Sequence, residues 1–272
     1  MSVSIVKKNT VLVIMGLSCV NLSIISNAAM YAPPPSATEP EPISKGGFYV
    51  GIGAGGIGLI ENITASVSST SGDGYLTTGQ DAVEDNGGIG VIGTIFAGYS
   101  WYLPKKLFLS AEIFGDYTHT PVTESDTETA DMVTISHSGT TTLESVYGAR
   151  LLPGYQVADN AVVYGIVGYA RSHVNESSNG FNASDSRSDT TLINWPAGES
   201  TTNYNGYQLG IGSMIDVAKH FAVRGDIIYT GYPSISNGPA SFKFPDGQTG
   251  SAFNTIEQFT IEGDVSLVYL FD

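Results

Sequence analysis

Eight stretches of alternating apolar and polar residues, joined by short and long connections in turn, constrain the fold of this chain most. They cover approximately residues 47–63, 88–102, 107–118, 139–156, 161–174, 204–217, 220–232 and 256–271. Successive side chains of a β-strand point to opposite faces of a sheet, so a period of two predicts eight strands. The connections between them contain about 24, 4, 20, 4, 29, 2 and 23 residues, so long and short ones alternate.

This alternation of connection lengths is typical of one kind of sheet. Barrels of bacterial outer membranes combine an even number of antiparallel strands with short turns at one end and long loops at the other. Each stretch reaches the roughly 9–11 residues of a tilted membrane strand. Closure is required because an open edge would leave backbone groups unpaired in hydrocarbon. The sequence therefore predicts an all-β fold, an eight-stranded antiparallel up-and-down transmembrane β-barrel with four long extracellular loops and three short periplasmic turns, located in the outer membrane.

The N-terminal residues predict export. Lys7 and Lys8 precede an apolar run over 11–25, and Ser-Asn-Ala follows, ending at Ala28. This is the pattern of a secretory signal peptide cut after Ala28. A membrane anchor is the alternative, but the run is shorter than the roughly 20 residues of a spanning helix.

Three regions follow from this pattern. We expect a signal peptide at 1–28, a Pro-rich linker at 29–46 and a barrel domain at 47–272. The single cysteine, Cys19, lies in the first region. The exported chain is therefore expected to hold neither a disulfide nor a thiolate metal site.

Net charge limits the partners. The chain has 11 Lys and Arg against 26 Asp and Glu, and loss of the signal peptide removes two lysines and no acid, which leaves 9 against 26, or −17. Nucleic acid is excluded because its phosphates require positive charge. Much of the negative charge falls in the predicted loops 64–87, 119–138, 175–203 and 233–255, which hold 13 acids and only Arg187 and Lys243 as bases.

These acidic loops are the first candidate for function. Binding to host surface molecules is one interpretation, a cation bridge to lipopolysaccharide is another, and purely solvated loops are the third. No calcium-loop spacing accompanies the acids, so no metal site is predicted. The acids are Asp73, Asp81, Glu84, Asp85, Glu124, Asp126, Glu128, Asp131, Glu176, Asp185, Asp189, Glu199 and Asp246.

The polar phase of the strands predicts an ion network inside the barrel. An eight-stranded barrel is just wide enough for side chains to fill it, so arginines and carboxylates there are expected to pair and plug the lumen. A gated, narrow conductance is the alternative. The predicted lumen residues are Glu112, Asp116, Glu144, Arg150, Arg171, Arg224, Asp226, Glu262 and Asp264.

The opposite phase predicts the lipid-facing surface. In the final strand, Val265, Leu267, Tyr269 and Phe271 share this phase, and the strand is expected to pair with the one that starts near Gly47. Aromatic residues near the short turns and the chain end predict a girdle where rings meet lipid headgroups. They are Tyr99, Trp101, Tyr102, Tyr155, Tyr269 and Phe271.

Four stretches carry a family resemblance: "GFYVGIGAGG" at 47–56, "PGYQVADNAVVYGIVGYARS" at 153–172, "FAVRGDIIYTGY" at 221–232 and "VSLVYLF" at 265–271. Together they resemble the OmpA-type barrels and opacity proteins of Gram-negative bacteria. The resemblance implies a monomeric barrel inserted by the outer-membrane assembly machinery, which reads a terminal aromatic strand, here Val265, Leu267, Tyr269 and Phe271. Asp272 departs from that pattern, and no peptidoglycan-binding domain is expected after the eighth strand.

Specific residues bear on three other functions. "GIGAGG" matches a dinucleotide motif only formally, because no βαβ unit surrounds it, and no cofactor is predicted. A lipid hydrolase would need a Ser, a His and an acid on the outer rim, where Ser172, His173 and Glu176 lie close in sequence. Adjacent strand residues face opposite ways, so Ser172 and His173 are not expected to meet. A soluble ligand-binding barrel is disfavoured by the charged inner phase. We therefore expect a non-enzymatic barrel with a structural or adhesive role, or else a narrow channel.

Overall fold

A computed structural model describes residues 46–70, 76–130, 133–185, 190–195, 197–243 and 249–271. The predicted signal peptide, residues 29–45 of the predicted linker, and Asp272 lie outside these described residues. In the described part of the chain, no helix has both the length and the apolar character needed to cross a membrane.

Ten antiparallel strands and one short turn make up the described fold. Eight strands close into a ring in the order β1-β2-β3-β4-β5-β7-β8-β10, with β10 pairing back to β1, while β6 pairs with β5 and β9 with β10. A turn of 3-10 helix at Pro104–Lys106 joins β2 to β3. The strands are β1 (Phe48–Thr70), β2 (Leu76–Leu103), β3 (Leu107–Ala130), β4 (Val133–Ala158), β5 (Ala161–Asp185), β6 (Thr190–Trp195), β7 (Gly198–Ala218), β8 (Phe221–Gly231), β9 (Ile235–Lys243) and β10 (Thr249–Leu270).

The final strand closes the ring against the first, as predicted. Tyr49 lies opposite Leu270, and the two strands stay paired as far as Thr70 and Thr249. Beyond the last ladder residue, the amide of Phe271 donates to the carbonyl of Phe48 at 2.9 Å. The eight-stranded antiparallel ring is therefore confirmed.

The strands are strongly tilted. A row of paired residues that starts at Val50 on β1 passes through every ring strand and returns to β1 at Ile60, an offset of ten residues. With about 3.3 Å per residue along a strand and about 4.8 Å between strands, this offset corresponds to a tilt of about 40°. Such a tilt lies in the range of membrane barrels.

The outward face carries two rings of aromatic side chains. The short-turn girdle lies at the end of the short turns and comprises Phe48, Tyr99, Trp101, Tyr155, Phe221, Tyr269 and Phe271. The hairpin girdle lies toward the other end and comprises Tyr117, Tyr147, Tyr169, Tyr207, Tyr229 and Phe259. Ten residues of β10 separate Tyr269 from Phe259, which at this tilt gives an apolar band of about 25 Å. Outward positions between the girdles are uncharged.

Tyr102 was predicted for the girdle but points inward. It has the same phase as buried Ser100 and lies partly buried against the core, with its ring 5.3 Å from that of Phe108. Two aromatic residues in direct succession, Trp101 and Tyr102, cannot share one face of a strand. The other predicted girdle residues lie on the outer face.

The segments predicted as loops are mostly paired strands. The β3–β4 ladder continues from Thr120 and Leu143 up to Ala130 and Val133. The four connections are therefore long β-hairpins that extend the barrel wall. Thr-rich stretches such as "VTESDTETA" at 122–130 supply β-branched side chains with high strand propensity. Because no lipid-facing apolar surface is required beyond the girdle, no strict alternation marks these stretches in the sequence.

Pro153 predicts a bulge or the end of a strand, because a proline removes a ladder hydrogen bond, and this prediction is wrong. β4 runs through Pro153 with no register shift, since Leu151 pairs with Val167 and Gly154 with Tyr164 in one register. The ladder with β5 is interrupted between these two pairs, because a proline has no N–H to donate. The irregularities of β4 lie elsewhere, after Leu143 and near the turn that follows Gln156.

Candidate functional site

Glu112 of β3 is the centre of an ion network inside the barrel. It pairs with Arg150 of β4, directly across the ladder, and the Nε of Arg150 donates to Oε1 at 2.5 Å. Arg224 of β8 reaches the same carboxylate from the opposite wall and donates from Nη1 to Oε2 at 2.5 Å. The hydroxyl of Tyr49 donates to Oε2 at 2.8 Å. One buried side chain thus connects four strands of the ring, β1, β3, β4 and β8.

Arg224 also binds a second carboxylate. Its Nε donates to Oδ2 of Asp226 at 2.7 Å, and the hydroxyl of Tyr164 donates to Oδ1 of Asp226 at 2.7 Å. Two residues of separation place Arg224 and Asp226 on the same face of β8. We call Tyr49, Glu112, Arg150, Tyr164, Arg224 and Asp226 the lumen network.

Aromatic rings pack the network on both sides. Phe96 lies 4.4 Å from the Arg224 guanidinium, and Phe114 lies 4.6 Å from that of Arg150. Gly51 makes room for the first contact, because a Cβ at this position would lie 2.2 Å from the Phe96 ring. Burial of the guanidinium groups between rings and carboxylates fills the lumen across its width. Tyr49, Phe96 and Tyr164 were not among the predicted site residues, although each has the inward phase of its strand.

Three more of the predicted lumen acids face the lumen. Asp264 of β10 lies opposite Asp226 and accepts a hydrogen bond from Ser266 at 2.8 Å. Glu262 and Asp116 are 3 % and 4 % exposed, and one oxygen of Asp116, Oδ2, has no hydrogen-bond partner among the described residues. The predicted lumen positions of Glu112, Asp116, Arg150, Arg224, Asp226, Glu262 and Asp264 therefore agree with the structure. Five carboxylates face two arginines in this set.

The other two predicted lumen residues, Glu144 and Arg171, face outward. On β5, Ala170 and Ser172 are 0 % and 1 % exposed and point inward, so Arg171 between them lies on the exposed outer face. On β4, a register shift between Leu143 and Ser145 reverses the phase. This bulge turns Glu144 outward. Their assignment to the lumen was wrong, because charge alone does not fix the phase of a strand.

Glu144 joins an outer polar cluster above the hairpin girdle. Its Oε1 accepts a hydrogen bond from Asn175 at 2.6 Å, and its Oε2 lies 3.8 Å from Nε2 of His173. Nδ1 of His173 lies 3.2 Å from the side-chain oxygen of Asn203. Ser172 is buried in the lumen wall, so it lies on the opposite face from His173.

The hairpins carry the acids of the predicted loops. Glu199 is exposed on β7, and the hydroxyl of Tyr204 donates to Glu176 of β5. No group of three or more metal-binding side chains occurs among the described residues. Asp73, Asp131, Asp189, Asp246 and Arg187 lie outside the described residues.

Comparison with solved structures finds small outer-membrane proteins at low similarity. The attachment invasion locus protein Ail of Yersinia pestis is 9 % identical, with 78 % of this chain and 98 % of that chain covered and a TM-score of 0.27. OprG of Pseudomonas aeruginosa is 10 % identical, with 85 % and 99 % covered and a TM-score of 0.36. The protease OmpT of Escherichia coli is 9 % identical, with 87 % and 99 % covered and a TM-score of 0.34. These values support no inference about this chain.

Sequence comparison gives the assignment. No curated protein sequence matches the chain. The model of the outer membrane protein beta-barrel domain matches residues 24–256, which is most of the chain. The match includes seven of the eight predicted strands and the start of the eighth. The chain therefore belongs to the outer membrane protein β-barrel family and is an integral protein of the outer membrane.

Proposed function

We propose that this protein is a non-enzymatic barrel that displays acidic β-hairpins at the cell surface, with a structural or adhesive role. The observation that carries this proposal is the extension of the strands beyond the hairpin girdle. The β3–β4 ladder rises from Thr120 to Ala130, which at about 3.3 Å per residue is about 33 Å along the strand. A large part of the paired strands thus lies outside the apolar band.

Open strand edges on these hairpins offer a means of binding. The β2–β3 ladder ends at Ile92 and Thr118, whereas β2 remains paired with β1 up to Leu76 and β3 with β4 up to Ala130. Among the described residues, the distal parts of β2 and β3 therefore have a partner on one side only. An extended peptide segment can add to such an edge through backbone hydrogen bonds.

Charge restricts which surfaces suit these hairpins. The segments predicted as loops carry 13 acids and two bases. A soluble partner that approaches the hairpins is therefore attracted if its surface is basic and repelled if its surface is strongly anionic. Screening at high ionic strength should weaken the interaction.

The proposal also includes the partners that the barrel meets in the outer membrane and at the cell surface. Outer-membrane lipid and lipopolysaccharide surround the barrel, and the outer-membrane assembly machinery inserts it. Host surface molecules meet the hairpins. We expect the barrel to act as a monomer and to bind no nucleic acid and no cofactor.

Trimming one hairpin tests the proposal. Ser178 and Gly198 are directly paired on β5 and β7, so residues 179–197 can be replaced by a two-residue Asn-Gly turn without breaking the ring. Bacteria that display the trimmed protein should adhere less to host cells than bacteria with the full chain. Adherence of the full-length form should also fall as salt is raised.

Two controls make this result interpretable. A shift in gel migration between unboiled and boiled samples shows that the trimmed barrel still folds, and replacement of residues 122–141 by the same turn tests a second hairpin. One outcome is that bacteria adhere as well with each of the two folded variants as with the full chain, and take up solutes equally well. In that case the hairpins do not have the proposed role.

A narrow channel for small solutes is the second candidate. One observation favours it: among the described residues, seven buried carboxylates stand against two buried arginines, which suits passage of cations. The lumen network argues against it, because Glu112, Arg150 and Arg224 meet at the centre of the barrel. In planar bilayers we expect no stable openings of nanosiemens size, and such openings would support the channel instead.

A further inference from the structure

An apolar groove crosses the lipid-facing surface of β1 to β5. Its floor consists of Ala97, Ala111 and Ala149, small residues on the outward face of β2, β3 and β4. Larger side chains flank them, among them Ile113 and Leu151, which are 66 % and 52 % exposed. The groove is open toward the lipid and has a volume of about 750 Å³.

The groove rises toward the hairpin girdle. Val50, Ala97, Ile113, Ala149 and Tyr169 are successive partners in one row across β1 to β5. Because each such row advances toward the hairpin end as it passes from β1 to β10, the β5 side of the groove lies higher than the β1 side. Its upper end is therefore beside the tyrosines of the hairpin girdle.

A row of hydrogen-bond donors lies immediately above this end. Tyr147, Arg171 and Asn205 are direct partners across β4, β5 and β7, and all three are exposed. Asn205 already accepts a hydrogen bond from Tyr169 through its side-chain oxygen at 2.6 Å, which leaves its amide N–H₂ group to donate. Arg171 forms no ion pair with any residue in the described part of the chain.

Within the described residues, the carboxylate on the neighbouring strand has other partners than Arg171. Glu144, on the neighbouring strand, is engaged by Asn175 and His173. The outward positions below Arg171 on β5 are Tyr169, Val167, Gly165 and Val163, none of which is charged. An arginine placed between an apolar band and a polar surface is at the depth of lipid phosphates, and a guanidinium group binds phosphate through paired hydrogen bonds.

We propose that this face binds one molecule of the phosphorylated glycolipid of the outer leaflet. A phosphate is bound by Arg171 and Asn205, and an acyl chain lies in the groove over Ala149 and Ala111. Groove and donor row coincide on β4 and β5, so one amphipathic molecule reaches both. The choice of the outer-leaflet glycolipid rests on the proposed function, which places the hairpins outside the cell.

Binding of lipid A to the purified full-length barrel tests this site. The barrel is placed in phosphatidylcholine nanodiscs and titrated with bisphosphorylated lipid A, with bound lipid counted by native mass spectrometry. Arg171→Gln should weaken binding roughly tenfold, because it removes a charge-assisted contact to phosphate. Ala149→Trp should also weaken binding, because it fills the groove. Lys105→Gln removes the same charge at the short turn and should leave binding unchanged.

Further lipids identify the ligand chemistry. Lipid A without phosphates should bind the native barrel as weakly as bisphosphorylated lipid A binds Arg171→Gln. Phosphatidylglycerol, which carries a phosphate but is not a glycolipid, should bind much more weakly than lipid A. Equal binding by native protein and Arg171→Gln, or equal affinity for phosphatidylglycerol, would overturn the proposal. Because this test uses no host cell, its failure is separate from a failure of the adhesion assay.

Discussion

At the scale of single residues, Glu112 forms ion pairs with two buried arginines in the barrel interior. Arg150 and Arg224 share its carboxylate, and both guanidinium groups are buried. A buried ion pair contributes little net stability when compared with an apolar pair of the same shape, but loss of one partner leaves the other charge uncompensated. The network should therefore be sensitive to single substitutions.

Glu112→Gln is expected to lower the free energy of unfolding by about 3–5 kcal/mol, because two buried arginines lose their common carboxylate. Urea unfolding of the barrel in lipid vesicles measures this difference. Glu257→Gln, at an exposed position, should change it by less than about 0.5 kcal/mol. If both substitutions cost less than about 1 kcal/mol, water or neighbouring groups compensate the arginines and the lumen network is not stabilising in the way described.

Two glycines of β1 provide a matched comparison of the two faces. A Cβ at Gly51 would lie 2.2 Å from the Phe96 ring, whereas a Cβ at Gly56 would have its nearest neighbour at 3.9 Å. Gly51→Ala should cost about 1–3 kcal/mol through overpacking, and Gly56→Ala should be neutral or slightly stabilising. The same unfolding assay measures both. Equal effects would contradict the close packing of Phe96 against β1.

At the scale of strands, bulges and hairpins mark the limit of what the sequence predicts. The eight ring strands were predictable because one face of each must suit lipid, which imposes a period of two. The hairpins beyond the girdle have no lipid-facing apolar surface, so the same pattern does not appear in them. The phase of Glu144 depends on a bulge after Leu143 that no local residue signals. Arg171 was misplaced because Tyr169 and Val167, not charge, set the outward phase of β5.

The last strand supplies a prediction of its own. The resemblance implies that the aromatic end of β10 is read during assembly, and this role for Val265, Leu267, Tyr269 and Phe271 stays a prediction. Phe271→Ala should reduce the amount of folded barrel in the outer membrane. It should change the stability of the refolded barrel by less than about 2 kcal/mol, because Phe271 is already 48 % exposed.

Phe48→Ala is the control for this experiment. Phe48 belongs to the same short-turn girdle and is 67 % exposed, but it lies at the start of β1 and not at the chain end. Immunoblots of outer-membrane fractions, with boiled and unboiled samples, quantify the folded protein. If both variants lose the same amount of folded barrel, the effect comes from the girdle as a whole. That result would contradict a specific role of the terminal strand.

At the scale of the whole molecule, the barrel has three parts: the short-turn end, the membrane-spanning band with its filled lumen, and the hairpins. Short turns and their girdle define one membrane boundary, the tyrosines of the hairpin girdle define the other, and a lumen filled by Glu112 and its partners closes the space between them. The hairpins extend beyond the second boundary. The proposals on adhesion and on glycolipid binding both require this second end to face out of the cell.

Labelling of single cysteines on intact cells tests this central claim most directly. Cys19 is the only cysteine and lies in the predicted signal peptide, so an introduced cysteine is unique in the exported chain. With a membrane-impermeant maleimide, Glu199→Cys on a hairpin should be labelled on intact cells, and Lys105→Cys at a short turn only after the outer membrane is permeabilised. Labelling of Lys105→Cys but not Glu199→Cys on intact cells would contradict the account.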